Sequence, residues 1–172
     1  MTVVMGIDPG VASTGFGVVR VGAGDMSASD GGVIEAPPGE AIERRLARIH
    51  EGLVELLSRH TPAAVALEEL YFGKNVRSAI AVGQARGVVM LAAAQAGVQC
   101  FDYTPQAVKL AVCGNGAAPK HQVQDMVGML LGLPGPPSSD HAADALAVAI
   151  CHAAHSRSPR ALQARQGGVP VG

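Results

Sequence analysis

Residues 2–10, TVVMGIDPG, and residues 14–21, TGFGVVRV, set the fold of this chain. The run Thr2 to Ile7 is apolar and rich in β-branched side chains. It stops at Asp8-Pro9-Gly10, where proline removes a backbone donor and glycine frees the chain to turn. Asp8 therefore stands at a strand end. Thr14 to Val21 is a second strand by the same composition; a Gly/Asp/Ser-rich turn region follows, and a third strand spans about Gly32 to Ala36 before Pro37-Pro38-Gly39 closes it. The economical arrangement is an antiparallel meander.

Downstream the pattern changes. From Glu40 to about Arg59, Ile42, Leu46, Ile49, Leu53, Leu56 and Leu57 recur at helical spacing among arginines and glutamates, which marks an amphipathic helix. Thr61-Pro62 breaks it, and Ala63 to Leu67 is a continuous apolar run, as expected of a central buried strand, ending at Glu68-Glu69. Asn75 is placed to cap a long helix to about Ala96, Gly97 ends it, and Val98 to Tyr103 is a further strand, so strand, helix and strand form a parallel crossover. Within that helix Ala79, Gly83 and Gly87 line one face with small residues, which fits close approach of another backbone, either the protein's own sheet or a second subunit. Thr104-Pro105 starts a short helix that Gly114-Asn115-Gly116 breaks. Pro119 suits the first turn of the next helix, to about Leu131, and Ser138, Ser139 or Asp140 caps a last one ending near His155. The sum is an α/β chain with a five-stranded mixed sheet flanked by helices. Residues 1–156 form one domain, and residues 157–172, with little to bury, form a flexible tail.

Composition narrows the function classes. The chain has 172 residues, 48% of them hydrophobic and 16% charged, with a formal net charge of −1, which argues against disorder and against a polycationic nucleic-acid coat. No apolar run reaches membrane-spanning length and no basic leader precedes a hydrophobic stretch, so a cytoplasmic location is expected. Cys100, Cys113 and Cys151 form no CxxC pair, which fits buried thiols in a reducing compartment and no cysteine metal site. The charge is uneven. Residues 70–124 carry only Asp102 against Lys74, Arg77, Arg86, Lys109 and Lys120, a balance of +4 consistent with local contact to a phosphate backbone. Tyr71-Phe72 beside Lys74 adds aromatic surface that could stack on bases or serve the core. Lys120 in a first helical turn opposes the helix dipole unless an anion is near, which makes it a phosphate-binding candidate. His50, His60, His121, His152 and His155 read as surface or helix-end residues.

Asp8 and Glu68 end two strands placed in the centre of the sheet, and His141 and Asp144 share a helix face because they are three apart. If that helix docks beside the strand ends, the four meet. Such a set suits Mg²⁺ or Mn²⁺ and a two-ion phosphodiester cleavage. Singly, each has an ordinary alternative: a turn former, a solvated strand end, a surface histidine, a helix-start carboxylate. Alternation lets only one of Glu68 and Glu69 face inward, and Glu69 is the outward one.

From Val3 to His155 the chain resembles the RuvC family of bacterial Holliday-junction resolvases, whose fold is ribonuclease H-like. The resemblance rests on GIDPGxxxTGFGVV from Gly6, ALEELYFGKNVRSAIAVGQARG from Ala66, Tyr103-Thr104-Pro105 with VKLAVCGNGAAPK from Val108, and DHAADALAVAICH from Asp140. It implies that Asp8, Glu68 and Asp144 ligate two divalent ions. The usual last-helix pattern of the family, D-x-x-D-A-L, here reads His141-Ala-Ala-Asp144-Ala-Leu. His141 is favoured as the fourth ligand because the spacing keeps that register, with neighbouring Asp140 the alternative. An imidazole in place of a carboxylate shifts the expected preference toward Mn²⁺. The resemblance further implies that Lys109 and Lys120 contact the scissile region, with Lys120 catalytic, that Tyr71 or Phe72 engages bases, and that Lys74, Arg77 and Arg86 lie along the DNA. It also implies a homodimer, for which the Ala79, Gly83 and Gly87 face is the candidate interface, and docking to the RuvA and RuvB branch-migration complex. Two rivals come from other classes: an actin-like nucleotide-binding lobe, which lacks its second phosphate loop here, and a weakened junction-binding module.

Overall fold

The computed structural model describes residues 1–69 and 76–156. One five-stranded sheet runs in the order β3-β2-β1-β4-β5, built from β1 (Thr2–Asp8), β2 (Ser13–Val21), β3 (Met26–Glu35), β4 (Ala64–Glu68) and β5 (Gln99–Tyr103). β1, β2 and β3 pair antiparallel, whereas β4 lies parallel to both β1 and β5. The sheet is therefore mixed, as expected. Alternation along the central strands feeds two cores. Met5, Ile7, Val65 and Leu67 pack against α1 (Ile42–His60) and α2 (Val76–Gln95). Val4 and Ala66 face the opposite layer of α3 (Pro105–Cys113), α4 (Lys120–Leu130) and α5 (Asp140–Ser156).

α5 is the buried helix of the second layer: Ala142, Ala143 and every position from Ala145 to Ala153 are buried, most of them alanine. Its close seat is made by glycines of the sheet. A Cβ on Gly6 would fall 1.8 Å from the Ala145 carbonyl oxygen, one on Gly15 would fall 2.2 Å from that of His141, and one on Gly17 would fall 2.6 Å from Leu146. The glycines thus let a helix backbone rest directly on β1 and β2.

Several expectations need correction. β3 begins at Met26, well before Gly32, because the Gly/Asp/Ser region contains only a short turn, with Gly22 N–H donating to the Asp25 carbonyl. Polar residues beyond it remain in register with β2 through an irregularity between Val18 and Val19, since an edge strand needs no continuous apolar face. Pro119 is the residue before α4, and Lys120 is the first helical residue. Of the three residues expected to cap α5, Ser139 holds the position: its carbonyl accepts from Ala143 N–H, and its Oγ lies 3.5 Å from Ala142 N. Among the cysteines only Cys151 is buried; Cys100 and Cys113 are partly exposed.

His152 is no surface residue. It is 5% exposed, and its Nδ1 lies 2.8 Å from the Tyr103 hydroxyl, stitching α5 to β5. Burial pushes the pKa of the Tyr103 phenol up to about 12, so it stays protonated. Nor does the small-residue face of α2 pack on its own sheet. A Cβ on Gly83 or Gly87 would meet nothing within 4 Å, and Val76, Ile80, Met90 and Leu91 are exposed along the same helix. By length and composition α2 is apolar enough to cross a membrane, yet Ala85, Val89, Ala92 and Ala93 bury its other side in the protein.

Candidate active site

Asp8 and Glu68 end adjacent parallel strands. Ile7 pairs with Leu67, so the two carboxylates follow side by side at the C-terminal edge of the sheet, on the face that α5 covers. Ligand sites of open α/β sheets form at this edge, where strand ends leave side chains free. β1 can end there because Thr14, fully buried, donates its hydroxyl to the Gly10 carbonyl and closes the loop that follows Asp8.

The N-terminal turns of α5 complete the group. His141 Nδ1 lies 2.8 Å from Asp8 Oδ2, across 133 positions of sequence. One turn further, Asp144 Oδ2 accepts from Lys120 Nζ at 3.2 Å. The same Nζ lies 3.2 Å from Asp140 Oδ2, while Gln124 donates to Asp140 Oδ1 at 2.7 Å. Both Asp140 oxygens are thus engaged on the α4 side, and His141 is the one turned toward Asp8. The dipole argument for Lys120 resolves similarly: Asp140 and Asp144 supply the anions it needs.

Like charges are crowded here. Burial, then the charges of Asp144 and Asp8, raise the Glu68 carboxyl above the ordinary carboxylate range, with Lys109 and Lys120 opposing. Burial is also the main cause for Asp144, which is raised despite Lys120. Glu68 keeps an exposed surface at the rim of the site while the neighbours packed around its carboxyl desolvate it. A cavity of about 220 Å³ opens here, lined by Glu68, Lys109, Lys120 and Asp144 on its polar side and by Val108, Val123 and Val148 on its apolar side.

The chemistry of the donors fits a hard divalent cation. Carboxylates crowded enough to raise one another's proton affinity are relieved by a dication, and oxygen donors are what Mg²⁺ and Mn²⁺ prefer. Among the described residues no three His, Cys, Asp or Glu side chains stand ready to enclose one ion, since Asp8 is turned to His141 and Asp144 to Lys120.

The remaining candidates divide. Lys109 and Lys120 border the cavity, and Arg77 is exposed on α2. The Arg86 side chain is only 13% exposed and is paired with Asp102 and with the Glu68 carbonyl. Tyr71, Phe72 and Lys74, with Asn75 and residues 157–172, lie outside the described residues. Sequence reasoning passed over the structural part of the site. Gly6, Gly15 and Gly17 seat α5, and the available signal was the placing of glycines inside two otherwise β-rich runs.

The chain is similar to known proteins along most of its length. A relative from Rubrobacter xylanophilus, named crossover junction endodeoxyribonuclease RuvC, is 50% identical over 169 residues, covering 94% of each chain. One of the same name from Moorella thermoacetica is 53% identical over 150 residues, covering 87% of this chain and 90% of that one. The solved structure of Thermus thermophilus RuvC in complex with a Holliday junction substrate superposes with a TM-score of 0.84 at 40% identity, covering 91% and 96% of the two chains. The fold is the ribonuclease H-like one of these resolvases. With residues 4–152 matched by the family model for crossover junction endodeoxyribonuclease RuvC, the chain belongs to that family.

Proposed function

We propose that this chain is a divalent-metal-dependent endonuclease that resolves Holliday junctions by paired symmetric nicks in strands of like polarity, leaving 5′-phosphate and 3′-hydroxyl ends, in recombination and repair. The observation that carries this is the meeting of Asp8, Glu68 and Asp144, from three separate elements, beside Lys109 and Lys120 in a chain of the RuvC family. Asp8, Glu68 and Asp144 would hold two ions, Mg²⁺ or Mn²⁺, with His141 as the fourth donor, Asp140 being occupied by Lys120 and Gln124. Such ions supply an activated water and charge stabilisation at the departing oxygen. His141, 2.8 Å from Asp8 in the metal-free protein, would exchange that contact for the ion. Lys120, held between Asp140 and Asp144, offers its ammonium to the phosphate that enters, and Lys109, also lining the cavity, does the same.

A four-way junction has two-fold symmetry, which a homodimer matches. The α2 face of Ala79, Gly83 and Gly87, flanked by the exposed Val76, Ile80, Met90 and Leu91, is the surface proposed for that contact. DNA contacts by Tyr71 or Phe72, Lys74 and Arg77, docking to RuvA and RuvB, and a cytoplasmic setting complete the proposal.

The test is incubation of the purified protein with an end-labelled four-way junction over titrations of Mg²⁺ and Mn²⁺. Symmetric nicks are expected, stronger in Mn²⁺ at equal concentration, with linear duplex a poor substrate. Asp8→Asn should bind the junction and leave it uncut. Junction binding by the wild type with no nicks in either metal would favour the weakened binding module, and full activity of His141→Ala would remove His141 from the donor set.

A further inference from the structure

α2 is an apolar helix with two charged side chains, Arg77 and Arg86. Arg77 is exposed, but the Arg86 guanidinium is largely covered, a costly place for a cation unless its donors are satisfied. They are satisfied by two different elements. Nη1 donates to the Glu68 main-chain carbonyl at 2.9 Å, and Nη2 pairs with the Asp102 carboxylate on β5. On the other side of the same peptide link, Glu69 N–H donates to the Tyr103 carbonyl at 2.8 Å. The Glu68–Glu69 peptide is therefore gripped at both its oxygen and its nitrogen at the point where β4 ends.

This grip matters because Glu68 is the last residue of its strand, and Leu67 is its last neighbour paired to β1. Beyond that point, among the described residues, the ladder to β5 and the Arg86 bond fix the plane of the backbone, and the direction of the Glu68 Cα–Cβ bond follows from it. A guanidinium suits this role because its donors are fixed in a plane, so one side chain locks a carbonyl and a carboxylate in a set relation. We infer that Arg86 is a positioning residue that holds the Glu68 carboxylate toward Asp8 and Asp144, with Asp102 anchoring the guanidinium from β5. The inference rests on the reading of Glu68 as a metal donor.

The test measures the DNA-free protein first. Mn²⁺ affinity is read by paramagnetic resonance titration for wild type, Arg86→Ala, Arg86→Lys, Asp102→Asn and Glu68→Gln. Junction affinity is read separately by mobility shift in EDTA, and folding by circular dichroism. Loss of a partner that orients a metal donor costs about tenfold or more in metal affinity. Arg86→Ala is expected to weaken Mn²⁺ binding about tenfold while its junction affinity in EDTA stays at the wild-type level. Asp102→Asn should show a smaller loss. Arg86→Lys should restore little, because an ammonium keeps the charge but not the planar fork. Unchanged Mn²⁺ affinity in Arg86→Ala overturns the inference, and so does a loss confined to junction affinity, which would make Arg86 a DNA contact. If Arg86→Ala does not fold, Asp102→Asn decides by the same two readouts. Glu68→Gln separates the layers: if it binds Mn²⁺ like the wild type, the metal reading itself fails, whereas a weakened Glu68→Gln beside an unaffected Arg86→Ala removes the positioning role alone.

Discussion

Glu68 and Asp144 are costly residues for the metal-free protein. Each is raised above the ordinary carboxylate range, chiefly by burial and secondarily by like charge. A carboxyl whose folded-state pKa lies above its unfolded value binds more protons when folded. The contribution of each to stability is therefore most favourable below the unfolded value and falls as pH rises through the raised one. The metal-free protein should lose stability over that window, and Glu68→Gln should lessen the loss. At pH 7.5 in EDTA we expect Glu68→Gln to melt higher than wild type, by on the order of 2 °C, with no nicking activity. Scanning calorimetry at about pH 4.5 and pH 7.5 checks this, and a Tm gap that does not widen toward the higher pH would mean that the carboxylates do not burden the fold. Cys151 is a contrasting case: burial pushes its thiol up to about 12, so it remains a small protonated core residue and contributes no charge near His155.

Among the elements, the site depends on the seat of α5 across β1 and β2. His141 reaches Asp8 because the helix backbone lies directly over Gly15, and Asp144 follows one turn later. A methyl group at position 15 would have to displace the His141 carbonyl, and main chain does not yield as a flexible side chain does. Gly15→Ala should destabilise the protein by about 1–3 kcal/mol, as overpacking does, and lower Tm by about 5 °C. It should also cut junction cleavage beyond the loss of folded protein, since both α5 donors move with the helix. Gly31→Ala is the control: its nearest neighbour to an added Cβ is 3.6 Å away, an ordinary contact, so its Tm and activity should match wild type. Equal behaviour of the two variants, measured by thermal melts and nicking rates, would dissociate the site from helix seating.

For the whole molecule, the distinguishing surface is α2. Exposed apolar side chains on a single chain are ordinarily scattered, but here Val76 is 68% exposed, Ile80 58% and Leu91 51% along one helix, with Gly83 and Gly87 open between them. Glycine inside a helix costs about 1 kcal/mol relative to alanine, a cost offset when another backbone approaches closely. No part of this chain does so among the described residues. Gly83→Leu should shift sedimentation toward the monomer and reduce paired nicking to single nicks, while leaving Tm within about 2 °C because the position is unpacked within one subunit. An unaltered dimer would place the interface elsewhere.

Read along the chain alone, the residues already dictate the alternation that sends Met5 and Ile7 to one core and Val4 to the other, the breaks at Pro9, Pro62 and Gly97, and so the order of strands and helices. These are local consequences of side-chain type and backbone freedom. The three carboxylates were legible as strand-end and helix-face residues for the same reason. Which partner each received emerged only on folding: His141 for Asp8, Asp140 and Asp144 for Lys120, Asp102 and a backbone carbonyl for Arg86, Tyr103 for the buried His152. Such pairings join residues 16 to 133 positions apart, and no local preference encodes them. They follow from where α5 and α2 come to rest. For α5 that place is set by glycines whose own side chains are absent and whose role appears only in what lies against them.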